Sequence, residues 1–100
     1  MERPGEIRFE WDIDKDRTNR RKHGMGFDTA EQVFDDSLAL TLSDRIVDGE
    51  ERWRTIGMDF GQVRLVVIHA DRKWNGIDVI RIISARKANI HERRAYESGS

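Results

Sequence analysis

The run that decides the fold is Arg52-Trp53-Arg54-Thr55-Ile56-Gly57-Met58, then Val63-Arg64-Leu65-Val66-Val67-Ile68-His69-Ala70, then Asp78-Val79-Ile80-Arg81-Ile82-Ile83-Ser84-Ala85. β-branched and aromatic side chains suit a pleated, half-buried surface, so each run reads as a strand. Gly61-Gln62 and Asn75-Gly76 punctuate them, and Asn-Gly is a strong signal for a tight hairpin. No segment between them is long enough for a helical crossover, so successive strands pair antiparallel. Leu38-Ala39-Leu40-Thr41-Leu42 supplies an earlier strand, with Asp48-Gly49 as its turn. The expectation is a four-stranded antiparallel meander.

Upstream, Arg8-Phe9-Glu10-Trp11 alternates polar and apolar side chains and suits a short edge strand. A helix follows, with Asp12 or Asp14 as its N-cap, Gly24 as its left-handed stop, and Lys22 and His23 beside its negative end. After Ile13 this helix has no large apolar side chain, so it must lie on the surface. Spacing of three and four places Lys15, Asn19, Lys22 and His23 on one polar face. Asp28-Thr29-Ala30-Glu31 reads as a capping box opening a second, core-facing helix through Phe27, Ala30, Val33 and Phe34. Asn89 and Glu92 open a short final helix through Tyr96. The fold class is therefore α+β, with two N-terminal helices packed on the sheet and a short C-terminal helix.

With 100 residues, 37% hydrophobic and 37% charged, the chain suits a single domain. Its ordered core is expected over residues 7–97, with Ser98-Gly99-Ser100 as a flexible tail. Absence of cysteine excludes disulfides, zinc thiolates and cysteine nucleophiles, and fits a reducing, cytoplasmic setting. No apolar run approaches the ~20 residues of a membrane span.

The net charge of -1 hides a segregation. Five of the eight residues from Lys15 to Lys22 are basic, and Arg81, Arg86, Lys87, Arg93 and Arg94 face only Glu92 over the stretch they span. From Asp28 to Glu51, eight acids accompany the single base Arg45. Folding that joins the two basic segments makes a polyanion site, with the acidic middle elsewhere. Local ion pairing is the plainer alternative.

Four ordered blocks resemble the BrnT toxins. They are Phe9-Glu10-Trp11-Asp12; Lys15, Asn19 and Lys22-His23-Gly24; Phe27, Ala30 and Val33-Phe34-Asp35; and Arg81 to Ala88 with Glu92-Arg93 and Tyr96-Glu97. Gly49-Glu50, Arg52 and Ile56-Gly57 fit the same pattern, which covers residues 7–97. Met25-Gly26 and Ser37 depart from it only in loops. The resemblance implies a RelE-like fold and a type II toxin that acts as a ribonuclease. It also implies a BrnA-like antitoxin with a ribbon-helix-helix domain, a heterotetramer of the two, and contact with operator DNA only through that complex.

Metal-independent RNA cleavage needs a base for the 2′-hydroxyl, cations for the crowded phosphorane and an acid for the leaving oxygen. Histidine titrates near neutrality, so His23 is the first candidate acid or base, the alternative being a helix-end side chain. Lys22 and Arg86 suit phosphate oxygens. Arg81, between Ile80 and Ile82, sits either on an open sheet face or in an interior ion pair. Strict alternation puts Arg86 on the face opposite Arg81, so both join one site only if the strand ends or bulges near Ala85. Lys15, Asn19, Arg52, Arg93 and Tyr96 are the remaining RNA-binding candidates, with Arg52–Glu50 pairing and Tyr96 packing as the competing readings. Trp53 and Trp74 can stack on bases, with packing as the competing and plainer use of Trp53. His69 and His91 lack a metal-ligand partner at helical spacing, and no metal or cofactor is expected. A non-catalytic co-repressor acting with a DNA-binding partner is the second reading. A stand-alone DNA-binding regulator is disfavoured, since there is no helix-turn-helix pattern and no basic excess.

Overall fold

A computed structural model of the chain describes residues 6–99. Strand β1 (Ile7–Glu10) leads to helix α1 (Ile13–His23), the short helix α2 (Phe27–Glu31) and a 3-10 turn (Gln32–Asp35). Strands β2 (Leu40–Val47), β3 (Glu50–Met58), β4 (Arg64–Trp74) and β5 (Ile77–Lys87) follow, and helix α3 (Ile90–Ser98) is the last element. All five strands form one sheet in the order β1-β5-β4-β3-β2.

The meander β2 to β5 is antiparallel, as its short connections require. Two of its three hairpin turns carry left-handed pairs, Asp48-Gly49 with φ 50 and 79 and Asn75-Gly76 with φ 49 and 77, while in the β3–β4 turn Gln62 alone is left-handed, with φ 66. The expectation of four antiparallel strands is corrected at the edge. β1 pairs parallel with β5, from Ile7 opposite Asp78 to Glu10 opposite Arg81, so the sheet is mixed and five-stranded. Local alternation identified the strand, but its partner lies some seventy residues away in the chain.

Helices α1 and α2 cover one face of the sheet. Phe27, Ala30 and Val33 pack there on Leu65, Val67, Ile82 and Ala85, with Phe9, Trp11 and Phe34 around them. On the opposite face α3 covers a smaller cluster of Ile56, Val66 and Tyr96. Gly57 lets the chain after α2 approach β3: a Cβ there would meet Val33 Cγ1 at 2.6 Å. The second helix differs from its expectation. Its N-cap is Gly26 with no side-chain cap, and it tightens into the 3-10 turn after Glu31. Asp28 instead accepts from Thr29 N–H and pairs with Arg20, so Phe27 already belongs to the helix. At the other end, α3 runs to Ser98 with Gly99 as its left-handed cap; Ser100 lies outside the described residues. The Asn89–Glu92 capping box is present.

Without an apolar stripe, α1 is held by two buried polar side chains. Asp16 accepts from Phe27 N–H at 2.7 Å and from Arg20 Nε at 3.1 Å. Asn19 Oδ1 accepts from Ala85 N–H at 3.1 Å, while Nδ2 donates to Ala85 O at 2.9 Å and Met25 O at 3.0 Å. Replacing Asn19 by Ala strands buried backbone groups on both partners and is expected to cost about 3 kcal/mol in urea unfolding. Lys15→Ala, on the exposed side of the same helix, should change stability by no more than about 0.5 kcal/mol. Equal effects of the two would refute this account of how α1 is attached.

Candidate functional site

The alternation of β5 is broken once. Ile82 lies opposite His69 and Ser84 opposite Ile68, which leaves Ile83 as an extra residue in the strand. Arg81 pairs with Ala70, Ser84 with Ile68 and Arg86 with Val66, three alternate residues of β4. Cross-strand partners project to the same side, so the bulge puts Arg81, Ser84 and Arg86 on one face. That is the face opposite α1 and α2, and α3 covers only one end of it.

Glu50, Arg52 and Arg54 alternate along β3 onto that face. Glu50 Oε1 accepts from Arg52 Nε at 3.0 Å and from Arg81 NH2 at 2.5 Å. One carboxylate from the acidic middle of the chain is thus clamped by two guanidiniums from different strands. The expectation that the acidic segment lies elsewhere is therefore corrected. Glu10, beside Arg81 on β1, pairs with Arg72 at 3.1 Å and extends the group.

Toward α3, Arg86 binds Glu92 through both arms, NH1 to Oε1 at 2.7 Å and NH2 to Oε2 at 2.8 Å. Glu92 Oε1 also accepts from Asn89 N–H at 2.9 Å, so one carboxylate caps the helix and anchors the arginine. Arg54 approaches the same carboxylate at 4.0 Å. The Arg86 hydrogen bonds pull the Glu92 carboxyl below its ordinary value against the opposing effect of burial, and raise that of Arg86 in turn.

Lys22 and His23 stand at the end of α1, beside β5. With Asp12, Asp14, Lys15, Thr18, Asn19, Ile83 and Ser84 they line a cavity of about 380 Å³. Ser84, between Arg81 and Arg86, is the link, although neither arginine lines the cavity. Three other candidates are placed differently. Asn19, 5% exposed, spends its amide on backbone groups. Tyr96 is buried and donates to Asp36 at 2.6 Å. Arg93 lies beside Arg64 and Lys87 around a separate cavity of about 260 Å³. His69 is buried on the helix-covered face, bonded to Thr55 at 2.7 Å and Asp71 at 2.6 Å. Among the described residues no group of three or more His, Cys, Asp or Glu is arranged to hold a metal, and no helix is long and apolar enough to cross a membrane.

Residues 11–92 match the family model described as the ribonuclease toxin BrnT of type II toxin-antitoxin systems. The chain belongs to the BrnT family. A crystal structure of the Brucella abortus ribonuclease toxin BrnT superposes with a TM-score of 0.57 at 26% identity, covering 84% of this chain and 97% of that one. No curated protein matches the chain. As a member of a type II toxin family, it has an antitoxin as its expected partner.

In this BrnT chain the site residues missed in the sequence are Glu50, Arg54, Ser84 and Glu92. Alternation of Glu50, Arg52 and Arg54 was a readable sign that the three share a strand face. Nothing local indicated that Glu50 would reach Arg81.

Three carboxyls are held low when folded. Burial opposes ionisation of Asp36, but hydrogen bonds from Tyr96, Leu38 N–H and Met58 N–H outweigh it. Asp16 is lowered first by the Phe27 N–H bond, and Glu92 by Arg86. A lowered folded pKa stabilises fully above the ordinary value, 3.8 for Asp and 4.5 for Glu, and the contribution is lost as pH falls through the folded value. Urea midpoints should therefore drop steeply below about pH 4.5. Glu92→Gln should lose about 2 kcal/mol at pH 7 and soften that acid limb, and an unchanged limb would contradict the assignment.

Proposed function

We propose that the chain is a metal-independent endoribonuclease that uses the 2′-hydroxyl of its substrate as nucleophile and works on the open face of the sheet. The observation that carries the reading is the Glu50 carboxylate clamped by Arg52 and Arg81 in a member of a ribonuclease toxin family. Two guanidiniums that hold a carboxylate can hold a phosphate, whose planar-fork recognition is the same. Arg81 and Arg52 bind the scissile phosphate and stabilise the phosphorane. Glu50, loosened from them as phosphate enters, takes the proton of the 2′-hydroxyl. Arg86 and Lys22 hold neighbouring phosphates, Lys15 extends the basic flank, and His23 returns a proton to the leaving oxygen. Ser84 stands between the two groups.

RNA cleavage of this kind arrests translation and growth in the cytoplasm. A BrnA-like antitoxin with a ribbon-helix-helix domain neutralises the toxin by covering the basic face, assembles with it as a heterotetramer, and brings the pair to operator DNA. The competing reading, a non-catalytic co-repressor, draws on the fact that Arg81 and Arg86 already have acid partners.

Antitoxin-free protein incubated with RNA in EDTA separates the two. Cleavage is expected in EDTA, with Arg81→Ala about 100-fold slower and His23→Ala slower by at least as much. Glu50→Gln should lower kcat about 100-fold while binding RNA as well or better, since it frees two cations. Intact RNA with and without added divalent ions, together with normal growth of cells expressing the chain alone, would favour the co-repressor.

A further inference from the structure

We propose that the depression around Trp74 is a stacking subsite for a base of the RNA strand next to the cleaved bond. The inference rests on the ribonuclease reading and adds a substrate contact to it. Trp74 ends β4 and is 55% exposed. It lies opposite Ile77, Arg72 lies opposite Val79, and Arg8 of β1 lies beside Val79, so Trp74, Arg72, Val79 and Arg8 share the open face. With Glu10 and Phe9 they enclose about 300 Å³. An indole wall and an apolar floor between two guanidiniums combine what single-strand sites use, a π-surface for the base and cations for the backbone.

The subsite is continuous with the proposed centre. Arg72 and Glu10, which line this depression and pair with each other, also line a small hollow with Glu50, Ala70, Asp71 and Arg81. Along β4, Trp74 is four residues from Ala70, the partner of Arg81, or roughly 13 Å. That separation is too long for the base at the cut bond and suits a neighbouring one. A lone exposed tryptophan needs no explanation, but one set between Arg8 and Arg72, in a depression that adjoins the Arg81–Glu50 pair, does. The arginines also favour a polyanion over an apolar segment of a partner protein as the occupant.

The test uses uncleavable 2′-O-methyl oligoribonucleotides of graded length, with the purified chain and its Trp74→Ala and Trp74→Tyr variants, each checked for an unchanged unfolding midpoint. Trp74→Ala is expected to weaken binding of the longer oligonucleotides about tenfold, and Trp74→Tyr to restore most of it. An abasic residue at a single position should weaken the wild type and abolish the difference between wild type and Trp74→Ala. Equal affinities of wild type and Trp74→Ala for every oligonucleotide would overturn the subsite alone. Loss of antitoxin binding in Trp74→Ala with RNA affinity intact would overturn it also, by giving the tryptophan to the partner protein. Wild type that neither binds nor cleaves RNA would overturn the ribonuclease reading together with the subsite.

Discussion

The interaction on which the rest depends is the amide of Asn19 against the backbone of Ala85. β1 ends at Glu10, opposite Arg81, so the last part of β5 has no strand beside it. Asn19 supplies one donor and one acceptor to the same residue, as a neighbouring strand would, and satisfies backbone groups that would otherwise be buried unpaired. A helix with no apolar stripe is thereby attached to the core through polar contacts. Its third bond, to Met25 O, turns the chain toward Phe27, where Asp16 receives the next N–H. This attachment determines where Lys22 and His23 stand relative to the sheet.

The second constraint is the extra residue at Ile83. Without it, Arg86 would point toward the helices and be buried among Leu65, Val67 and Phe27, where a charge is costly. With it, Arg86 reaches the Glu92 carboxylate and Arg81 reaches Glu50, and both guanidiniums remain partly exposed. The bulge and the Asn19 contact are neighbours, two residues apart on one strand. One short stretch of β5 therefore carries both the anchor of α1 and the bulge that arranges the cations of the candidate site.

Every cation proposed for the phosphate on the sheet face has a carboxylate partner in the folded protein. Such pairs contribute little stability where they are exposed, but they keep a cluster of like charges from repelling itself. The more enclosed Glu92 pair serves mainly to fasten α3 to the sheet, since the same carboxylate completes the helix cap.

The α+β class, the antiparallel meander, both left-handed hairpin turns, the limits of α1 and the capping box of α3 were legible in the sequence, because each rests on residues within a few positions of one another. That β5 must end or bulge near Ala85 to unite Arg81 and Arg86 was legible as a condition. Tertiary structure alone decided that β1 joins β5 in parallel, that Asn19 and Tyr96 turn inward, and that Glu50 from the acidic stretch lies between two arginines. Those outcomes depend on which distant groups meet, and a carboxamide, a phenol or a carboxylate looks the same in sequence whether it faces water, a backbone or a guanidinium.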